Sequence, residues 1–538
     1  MLTKAIQGIA SSSLPCLRNR PFTLSRASFQ QLSTVIFTII TACIVPLFLR
    51  KNIRNAVGVP IPSGPLLRYA FLRKYPERAL HRWAKKYGPL FSIWMGDQLF
   101  IVISDPHVAR DLLVTQGAIF SSRKKYFMKN QVILAGRAIT ASAYDDTWRH
   151  HRRIAMQLLT PKAIQTYADV LDYEAAILIR SLYYKSEKGT VPLDPASYAG
   201  RYALNNMLTI SFGTRTTSST ASLVERALQL AMEFMDLTGP WSNAVDFIVP
   251  LQWIPTSTRS RGRRLHDDLI EVYGAMYLDV KSRMDGGEII PECLVRTLIE
   301  TSEVEELDWT DTCMLAAVFT LGGVHSTSGI IQWFLALLPS HPDIQARAHD
   351  ELDRVIGRDH WPSAGDEAHL PYIRAIIKEV QRVHAPFWMA TPHCSTEDYE
   401  YNGMFIPKDT VMVLNCFTMH HNEDRYPDSY TFNPDRYLGD DLSCAESAKL
   451  SNVDLRDHWT FGAGRRICPG LVVAERELFL AISRILWTFT VKSIPSEPIS
   501  LEEYEGMSGR TPLPFRVKFE PRNDSVHGLV ENIQEIKL

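Results

Sequence analysis

One cysteine lies in a basic, glycine-rich stretch near the C-terminal end of the chain. Cys468 belongs to FGAGRRICPG, residues 461–470, and follows Arg465 and Arg466 closely. The thiolate form of cysteine binds metals and attacks electrophiles, and nearby cations lower a thiol's pKa. Three glycines in the stretch let the backbone turn tightly and approach a flat group closely. These residues predict a thiolate site rather than a buried, inert cysteine.

The segment after this cysteine predicts how the thiolate is positioned. The sequence LVVAERELFLAISRIL follows Gly470 and has the periodicity of a helix. The thiolate would then lie just before a helix N-terminus, where the helix dipole stabilises negative charge. A nucleophilic cysteine is the alternative. It would need a histidine base, and none lies close in sequence.

The stretch resembles the cysteine motif of the cytochrome P-450 heme-thiolate family, FxxGxRxCxG. The matching residues are Phe461, Gly464, Arg466, Cys468 and Gly470. The resemblance implies that Cys468 is the axial ligand of the iron in heme b, and that Arg466 reaches a heme propionate. In such proteins the thiolate pushes electron density onto the iron and favours O–O cleavage.

A second motif resembles the ion-pair network of the same family. Glu379 and Arg382 match ExxR within the helical stretch 371–384, and the spacing puts both side chains on one helix face. Arg436, in FNPDRYL, stands at the arginine of the family's PERF region. The resemblance implies a buried network of these three residues that holds the heme-binding region. A surface salt bridge is the alternative for an i,i+3 pair.

A third group of residues resembles the family's propionate contacts. Trp148 and Arg152, in WRHHR, match the tryptophan and arginine of a helix over the heme face. His393, in Thr-Pro-His, aligns with another propionate position. The resemblance implies that all three bind heme propionates, whereas an exposed basic helix is the alternative for the first two.

The segment that contacts oxygen in this family departs from the family pattern. In the stretch 316–327, Gly322 and Gly323 match, but His325 replaces the usual acid and Ser326 the usual threonine. Glycine pairs can open a helix beside a ligand. A serine hydroxyl can donate and accept, and a histidine can shuttle protons near neutral pH. The candidate catalytic residues are His325, Ser326 and Thr327. In the alternative, His325 only packs under the helix.

The substrate pocket is predicted above the heme. Its candidate residues are Phe319, Gly322, Gly323, Phe387, Trp388 and Met389. These residues indicate an apolar, aromatic pocket for a hydrophobic substrate. Phe120–Gly136 is the predicted lid, and its basic residues are interpreted as a solvated surface. They are Arg123, Lys124, Lys125 and Lys129.

The N-terminal part predicts a membrane anchor. Gln31–Leu49 carries no charge over about nineteen residues and is followed by Arg50 and Lys51, which suits a helix that spans the bilayer. A buried core helix is an alternative. The basic, acid-free start also fits an organelle transit peptide. We predict a basic extension (1–30), an anchor (31–49), a proline-rich linker (50–66) and a catalytic domain (67–538).

The rest of the chain predicts a mainly α body with a small β region. Helical periodicity dominates up to about residue 385. Pro89–Ser104 indicates a hairpin turning at Gly96-Asp97, and Tyr399–Leu414 a second extended patch. We expect the cytochrome P-450 fold, with a long central helix over the heme and the cysteine loop beneath it. The formal net charge of -1 and eight widely spread cysteines argue against nucleic-acid partners, a disulfide framework and a zinc site.

The resemblance implies a monooxygenase that uses O2. No strand-linked GxGxxG occurs in the chain, so electrons from NADPH are expected through a separate membrane-bound cytochrome P-450 reductase. The sequence resembles microsomal fungal members of secondary metabolism, which favours a lipophilic aromatic or terpenoid natural product as substrate. Radical coupling or desaturation is the alternative, and a non-catalytic heme-binding protein is a further one. The endoplasmic reticulum membrane is the expected location, with a cytosolic catalytic domain, and the mitochondrion is the alternative.

Overall fold

The described residues of this computed structural model are 61–65, 72, 74–216, 222–301 and 306–534. They all belong to one compact unit, Val59–Leu538. The predicted extension and anchor lie outside the described residues. Of the predicted linker, residues 61–65 are described and form neither helix nor strand. The three boundaries between the four predicted segments stay predictions.

Helices make up most of the described chain, as predicted. The longer ones are α1 (Pro76–Tyr87), α2 (Asp146–Gln157), α3 (Pro161–Thr166), α4 (Ala168–Lys185), α5 (Ala196–Phe212), α6 (Ser222–Thr238), α7 (Ser257–Asp285), α8 (Leu294–Thr301), α9 (Trp309–Leu337), α10 (Pro342–Val355), α11 (Pro371–Val383), α12 (Leu471–Thr488) and α13 (Ser525–Glu531). Short α- or π-helical turns are Pro106–Ala109, Arg110–Thr115, Gly117–Phe120, Phe127–Ile133, Cys416–His420 and Cys444–Ser447. Short 3-10 turns are Ala244–Asp246, Val249–Gln252, Leu338–Ser340, Ala364–His369, Pro434–Tyr437, Val453–Leu455 and Gly464–Arg466.

The central helix α9 runs through the main hydrophobic core. Asp308 caps its start, because the carboxylate accepts the backbone N–H of Asp311 at 2.7 Å. In the described residues the segment Trp309–Ser340 alone is long and apolar enough to cross a membrane, but 83% of its most apolar window is buried inside the protein. Its apolar composition therefore serves the core, where it packs against α5, α7 and α12.

Two helices owe their positions to contacts with other parts of the chain. The Glu351 carboxylate of α10 accepts the first backbone N–H groups of α11, from Tyr372 at 3.0 Å and Ile373 at 3.1 Å. These donors have no partner within α11, so the contact fixes where α11 begins. The helix α12 begins directly after Gly470, which places the cysteine loop at its N-terminus.

The largest sheet has four strands in the order β1-β2-β6-β3. Its strands are β1 (Leu90–Met95), β2 (Gln98–Ile103), β3 (His393–Cys394) and β6 (Val411–Leu414). β1 and β2 form the predicted hairpin, with Leu90 opposite Ile103. β6 pairs parallel to β2 and antiparallel to β3. The two-stranded sheets pair β4 (Tyr399–Tyr401) with β5 (Met404–Ile406), β7 (Phe489–Lys492) with β10 (Lys518–Pro521), and β8 (Tyr504–Glu505) with β9 (Thr511–Pro512).

Candidate active site

The loop that carries Cys468 is held by close backbone contacts. The Cys468 N–H donates to the Phe461 carbonyl at 2.9 Å. Gly464 has a φ of +62°, and a Cβ there would lie 2.1 Å from the Leu113 carbonyl oxygen. Only glycine satisfies both conditions, so this glycine lets the loop press against the turn Arg110–Thr115. The Cys468 side chain is partly exposed.

Two arginines form hydrogen bonds that hold the cysteine loop, Arg466 from within the loop and Arg152 from α2. The Arg466 guanidinium donates to the carbonyls of Ser121 (2.7 Å), Ile139 (3.1 Å) and Ser142 (2.8 Å). Its guanidinium carbon lies 3.9 Å from the centre of the Trp148 ring. Arg152 donates to the Ile467 carbonyl at 2.7 Å. The neighbouring Arg465 is exposed and donates to the Tyr144 hydroxyl instead.

The structure also brings Trp148 and His393 to this region. The Trp148 indole N–H donates to the Ile139 carbonyl at 3.1 Å, the same oxygen that Arg466 reaches. His393 Nδ1 lies 2.7 Å from the Phe120 carbonyl oxygen. Burial, and next the charge of Arg123, hold the pKa of His393 well below its usual range. This imidazole is therefore neutral near pH 7.

Arg123 joins the cluster, although the sequence interpretation placed it on a solvated surface. Its side chain is buried, and Nη1 donates to the carbonyls of Thr391 and Pro392. Burial and the charges of Arg466 and Arg152 lower the pKa of Arg123. The correction has a physical reason: the loop before β3 supplies acceptors that draw this one cation inward, whereas Lys125 stays exposed.

The three guanidinium groups of Arg123, Arg152 and Arg466, called here the guanidinium cluster, lack acidic partners. Burial and then Arg152 lower the pKa of Arg466 to about 9. Within the described part of the chain no Asp or Glu forms an ion pair with any of the three. Burying like charges without a counter-charge costs several kcal/mol per ion. The cluster therefore suits an anionic ligand.

The thiol beside the cluster suits a metal ligand. Burial raises the pKa of Cys468, while the Gly470 backbone N–H and the charge of Arg152 act in the opposite direction. A coordinated metal ion deprotonates a thiol outright. The thiol suits the iron of a heme. The neighbouring guanidinium groups, which form no ion pair within the described residues, suit its two propionates. The residues present thus fit the implied cofactor.

Glu379, Arg382 and Arg436 meet in the core behind the cysteine loop. Arg382 forms two hydrogen bonds of 2.7 Å to the Glu379 carboxylate, and both side chains are fully buried. Arg436 Nε lies 3.4 Å from the same carboxylate. Arg382 also donates to the carbonyls of His420 and Ser429. This geometry is a buried network and not the exposed i,i+3 pair that was the alternative.

One face of α9 is open at the glycine pair. Gly322 is exposed within an otherwise buried stretch, and no atom lies within 4 Å of the place where its Cβ would be. The Ser326 hydroxyl shares this face and donates to the Gly322 carbonyl at 2.9 Å. Gly323 differs, because a Cβ there would strike the Met207 side chain at 2.3 Å. Gly323 therefore allows α9 to pack closely against α5, and it is not assigned to the pocket.

His325 and Thr327 point to other neighbours. His325 is buried against the backbone of Gly509, and burial lowers its pKa to about 4. A neutral imidazole disfavours the proton shuttle considered from the sequence. The Thr327 hydroxyl donates to the Glu477 carboxyl at 2.9 Å. Burial raises the pKa of Glu477 to about 8, so this carboxyl is protonated near pH 7.

Two predicted pocket residues pack elsewhere. Trp388 and Met389 belong to the hydrophobic cluster formed with the strands of the large sheet. The Trp388 ring meets Phe417 edge-on, with centroids 4.9 Å apart. Because their side chains pack against the large sheet, neither residue is assigned to the pocket. Phe319 and Phe387 remain, the first buried and the second partly exposed.

Cys444, Asp457 and His458 form the one group of potential metal ligands found among the described residues outside the cysteine loop. The Cys444 sulfur lies 3.6 Å from His458 Nε2. Burial, with Asp457 and Glu475 nearby, raises the pKa of Cys444 well above its usual value. The Lys378 ammonium lies 3.9 Å from the Asp457 carboxylate and already offsets its charge. The three residues are best described as a buried cluster in which the Cys444 thiol is hydrogen-bonded to His458.

Comparisons with known proteins agree with these observations. The family described as Cytochrome P-450 matches residues 60–519. Cytochrome P-450 monooxygenase verL of Clonostachys rogersoniana is 32% identical over 485 residues, which cover 88% of each chain. Monooxygenase virE of Hypocrea virens is 30% identical over 476 residues, covering 86% of this chain and 85% of its own.

A solved structure gives the same fold. A zebra fish cytochrome P-450, determined with progesterone, superimposes with a TM-score of 0.71 at 23% identity. The match covers 83% of this chain and 99% of that one. At this identity the likeness speaks for the fold alone, and it confirms the predicted fold class.

Proposed function

The chain belongs to the cytochrome P-450 family and is a heme-thiolate oxidoreductase of the monooxygenase type, and on that premise we propose that Cys468 is the axial ligand of its heme iron. Support comes from the position of this thiol directly before α12 and from the nearby Arg152. Cys444 lacks such surroundings, since carboxylates lie beside it.

The guanidinium cluster is the single observation that carries the proposal. Arg123 and Arg466 are buried and Arg152 is partly buried, and none of the three forms an ion pair with a carboxylate of the described residues. We propose that they hold the propionates, with Trp148 fixing the plane of Arg466 by stacking and His393 as a neutral hydrogen-bonding neighbour. Charge-assisted hydrogen bonds from arginine to carboxylate are strong and directional, so these residues would set the orientation of the cofactor.

The bound heme would supply the activation of O2, and the chain would supply proton donors and a dry pocket. The Ser326 hydroxyl is the donor on the open face of α9, and it can pass a proton by rotating from the Gly322 carbonyl. Thr327 follows Ser326 in α9, and its hydroxyl donates to the Glu477 carboxyl of α12. Because this carboxyl is protonated near pH 7, it would be a buried proton source. Phe319 and Phe387 would form apolar walls that exclude water.

The proposed substrate is a small lipophilic molecule, an aromatic or terpenoid natural-product intermediate. Electrons would come from NADPH through a separate cytochrome P-450 reductase. The relatives named as monooxygenases come from Clonostachys rogersoniana and Hypocrea virens, and this origin supports a fungal natural-product pathway.

An exposed apolar segment supports attachment to the endoplasmic reticulum membrane. Trp253 is 77% exposed and Ile254 52%, and Ile248 and Val249 are also exposed. These residues lie between α6 and α7. Large apolar side chains exposed together often mark a membrane or protein contact. We propose that this segment, called here the apolar loop (Ile248–Ile254), dips into the bilayer.

Radical coupling or desaturation is a second candidate. It is favoured by the neutral, packed His325, which leaves α9 without a charged proton carrier at the position of the family's acid. The departure from the family pattern at this position is the observation on which this candidate rests.

The carbon monoxide difference spectrum of the reduced full-length protein tests the assignment of the thiolate. We expect the red-shifted Soret band of thiolate-ligated heme in the native protein and its loss in Cys468→Ser. A histidine-type band in the native protein would refute the proposal.

A further inference from the structure

A cavity beside the guanidinium cluster carries positive charge and no acid. The cavity is small, with a volume of about 20 Å³, and opens partly to solvent. Its wall comes from the segment 123–141, the end of α6, the loop before β3 and the β8–β9 hairpin. The charged residues of this wall are Arg123, Lys124 and Lys129, and no Asp or Glu stands among the described residues that line it.

Three hydrogen-bonding groups of the wall are buried without a partner. They are Arg123 Nε, the Tyr126 hydroxyl and Thr140 Oγ1, and none finds an acceptor or donor among the described residues. A buried donor without a partner is destabilising. Their convergence on one charged cavity indicates a ligand that offers acceptors.

Lys129 is the cation without an obvious structural task. Its ammonium makes no hydrogen bond or ion pair with any described residue, whereas Lys124 reaches the side-chain oxygen of Gln98. Burial, and then the charge of Arg123, lower the pKa of Lys129 to about 8. Arg123 is held by the carbonyls of Thr391 and Pro392. These carbonyls leave the positive charge of Lys129 without a counter-charge, which an anionic ligand would supply.

The carboxylate of Asp246, whose charge acts on Tyr126 of the wall, is already engaged. Asp246 accepts the backbone N–H of Met128 at 2.8 Å and lies 3.3 Å from the side-chain nitrogen of Asn243. It is not part of the cavity wall. Burial raises its pKa to about 6, which weakens it further as a counter-charge.

The cavity adjoins the two parts of the proposed reaction site. Arg123 is shared with the guanidinium cluster, where the charge of Arg466 acts on it. Ser508 of the wall precedes Gly509, whose backbone packs on His325 of α9. The cavity therefore lies next to the guanidinium cluster and next to a segment that packs on α9.

We propose that this cavity binds a carboxylate of the substrate, with Lys129 as the anchoring cation, so that the enzyme oxidises a lipophilic acid. This inference rests on the proposed function and narrows its substrate class. Tyr126 and Thr140 would donate hydrogen bonds to the carboxylate oxygens, and Arg123 would face both this group and a propionate.

Binding of matched acid and ester probes tests the inference. The full-length holoprotein is titrated with dodecanoic acid, 4-phenylbutyric acid and the methyl ester of each, and the Soret shift reports binding. We expect at least one acid to bind about tenfold or more tightly than its ester, as for a charge-assisted contact. Equal affinities, or no shift with either acid at millimolar concentration, would overturn the inference.

Variants separate a substrate carboxylate from a heme propionate as the anion. Lys129→Met is expected to lose the preference for acid over ester, and Lys129→Arg to keep it, with the heme content of both unchanged. Lys125→Met, an exposed lysine of the same segment, is the matched control and keeps the preference. Loss of heme in Lys129→Met would assign the cation to a propionate and refute the inference. Loss of the thiolate band in the native protein would instead refute the proposed function.

Discussion

At the scale of residues, side chains of one chemical type have different tasks according to what surrounds them. Arg465 and Arg466 are neighbours in sequence, yet the first is exposed beside Tyr144 and the second is buried against three carbonyls and Trp148. The sequence motif could identify Arg466 and Cys468 because their spacing is fixed by a local loop. It could not identify Arg123, because its burial depends on a loop almost 270 residues further along the chain.

Variants of Ser326 and His325 test which of the two side chains delivers protons. In the protein reconstituted with a reductase, Ser326→Ala should raise the hydrogen peroxide released per NADPH consumed by about tenfold or more, within the range of lost proton-transfer catalysis. His325→Asn should leave this ratio nearly unchanged, because the imidazole packs against Gly509 instead of the open face. A large increase in His325→Asn with none in Ser326→Ala would reverse the assignment of the two side chains.

At the scale of elements, one ion-pair network ties α11 to the segment that precedes the cysteine loop. Glu379 and Arg382 lie one turn apart on α11, and Arg382 reaches carbonyls of the segment 420–431. Arg436 belongs to the turn Pro434–Tyr437 and approaches the same carboxylate. Helix, extended segment and turn are therefore fixed relative to one another by three side chains.

Removing the shared carboxylate should unfold this arrangement. In Glu379→Ala the buried Arg382 loses its counter-charge, which costs about 3–5 kcal/mol, so we expect little heme in the purified protein and a lower melting temperature. Glu300→Ala is the matched control, because it breaks an exposed pair with Arg296 worth about 0.5 kcal/mol. Normal heme content and stability in Glu379→Ala would show that the network is dispensable.

The elements also show where sequence reasoning succeeds and where it fails. The β1–β2 hairpin and α11 follow from local periodicity and turn residues, and the structure has them where they were predicted. Trp388 and Met389 were misassigned to the pocket because the segment after α11 has no periodicity to show which side chains face the sheet. Their packing against strand residues depends on contacts that are distant in sequence.

At the scale of the whole molecule, the proposed contact with the membrane is the apolar loop. The apolar loop combines Trp253 and Ile254 with other exposed apolar residues. The remaining large exposed apolar side chains belong to other elements, such as Trp309 at the start of α9. A protein anchored by its N-terminal segment would use this loop as a second, shallow contact with the bilayer.

Quenching by brominated lipids measures this contact. In full-length protein reconstituted into vesicles with brominated acyl chains, Trp253 should be quenched, so that Trp253→Phe lowers the quenched fraction of the fluorescence. Trp309→Phe is the control and should leave the quenched fraction unchanged, although Trp309 is also 44% exposed. Equal quenching in native protein and Trp253→Phe would place the apolar loop in water.

The most direct measurement for the whole account compares two cysteines in the carbon monoxide difference spectrum. Cys468 lies beside Arg152 in the cysteine loop, while Cys444 is a buried thiol near carboxylates. We predict that Cys468→Ser abolishes the thiolate-type Soret band and that Cys444→Ser keeps it. A band that survives in Cys468→Ser, or disappears only in Cys444→Ser, would contradict the assignment of the heme ligand.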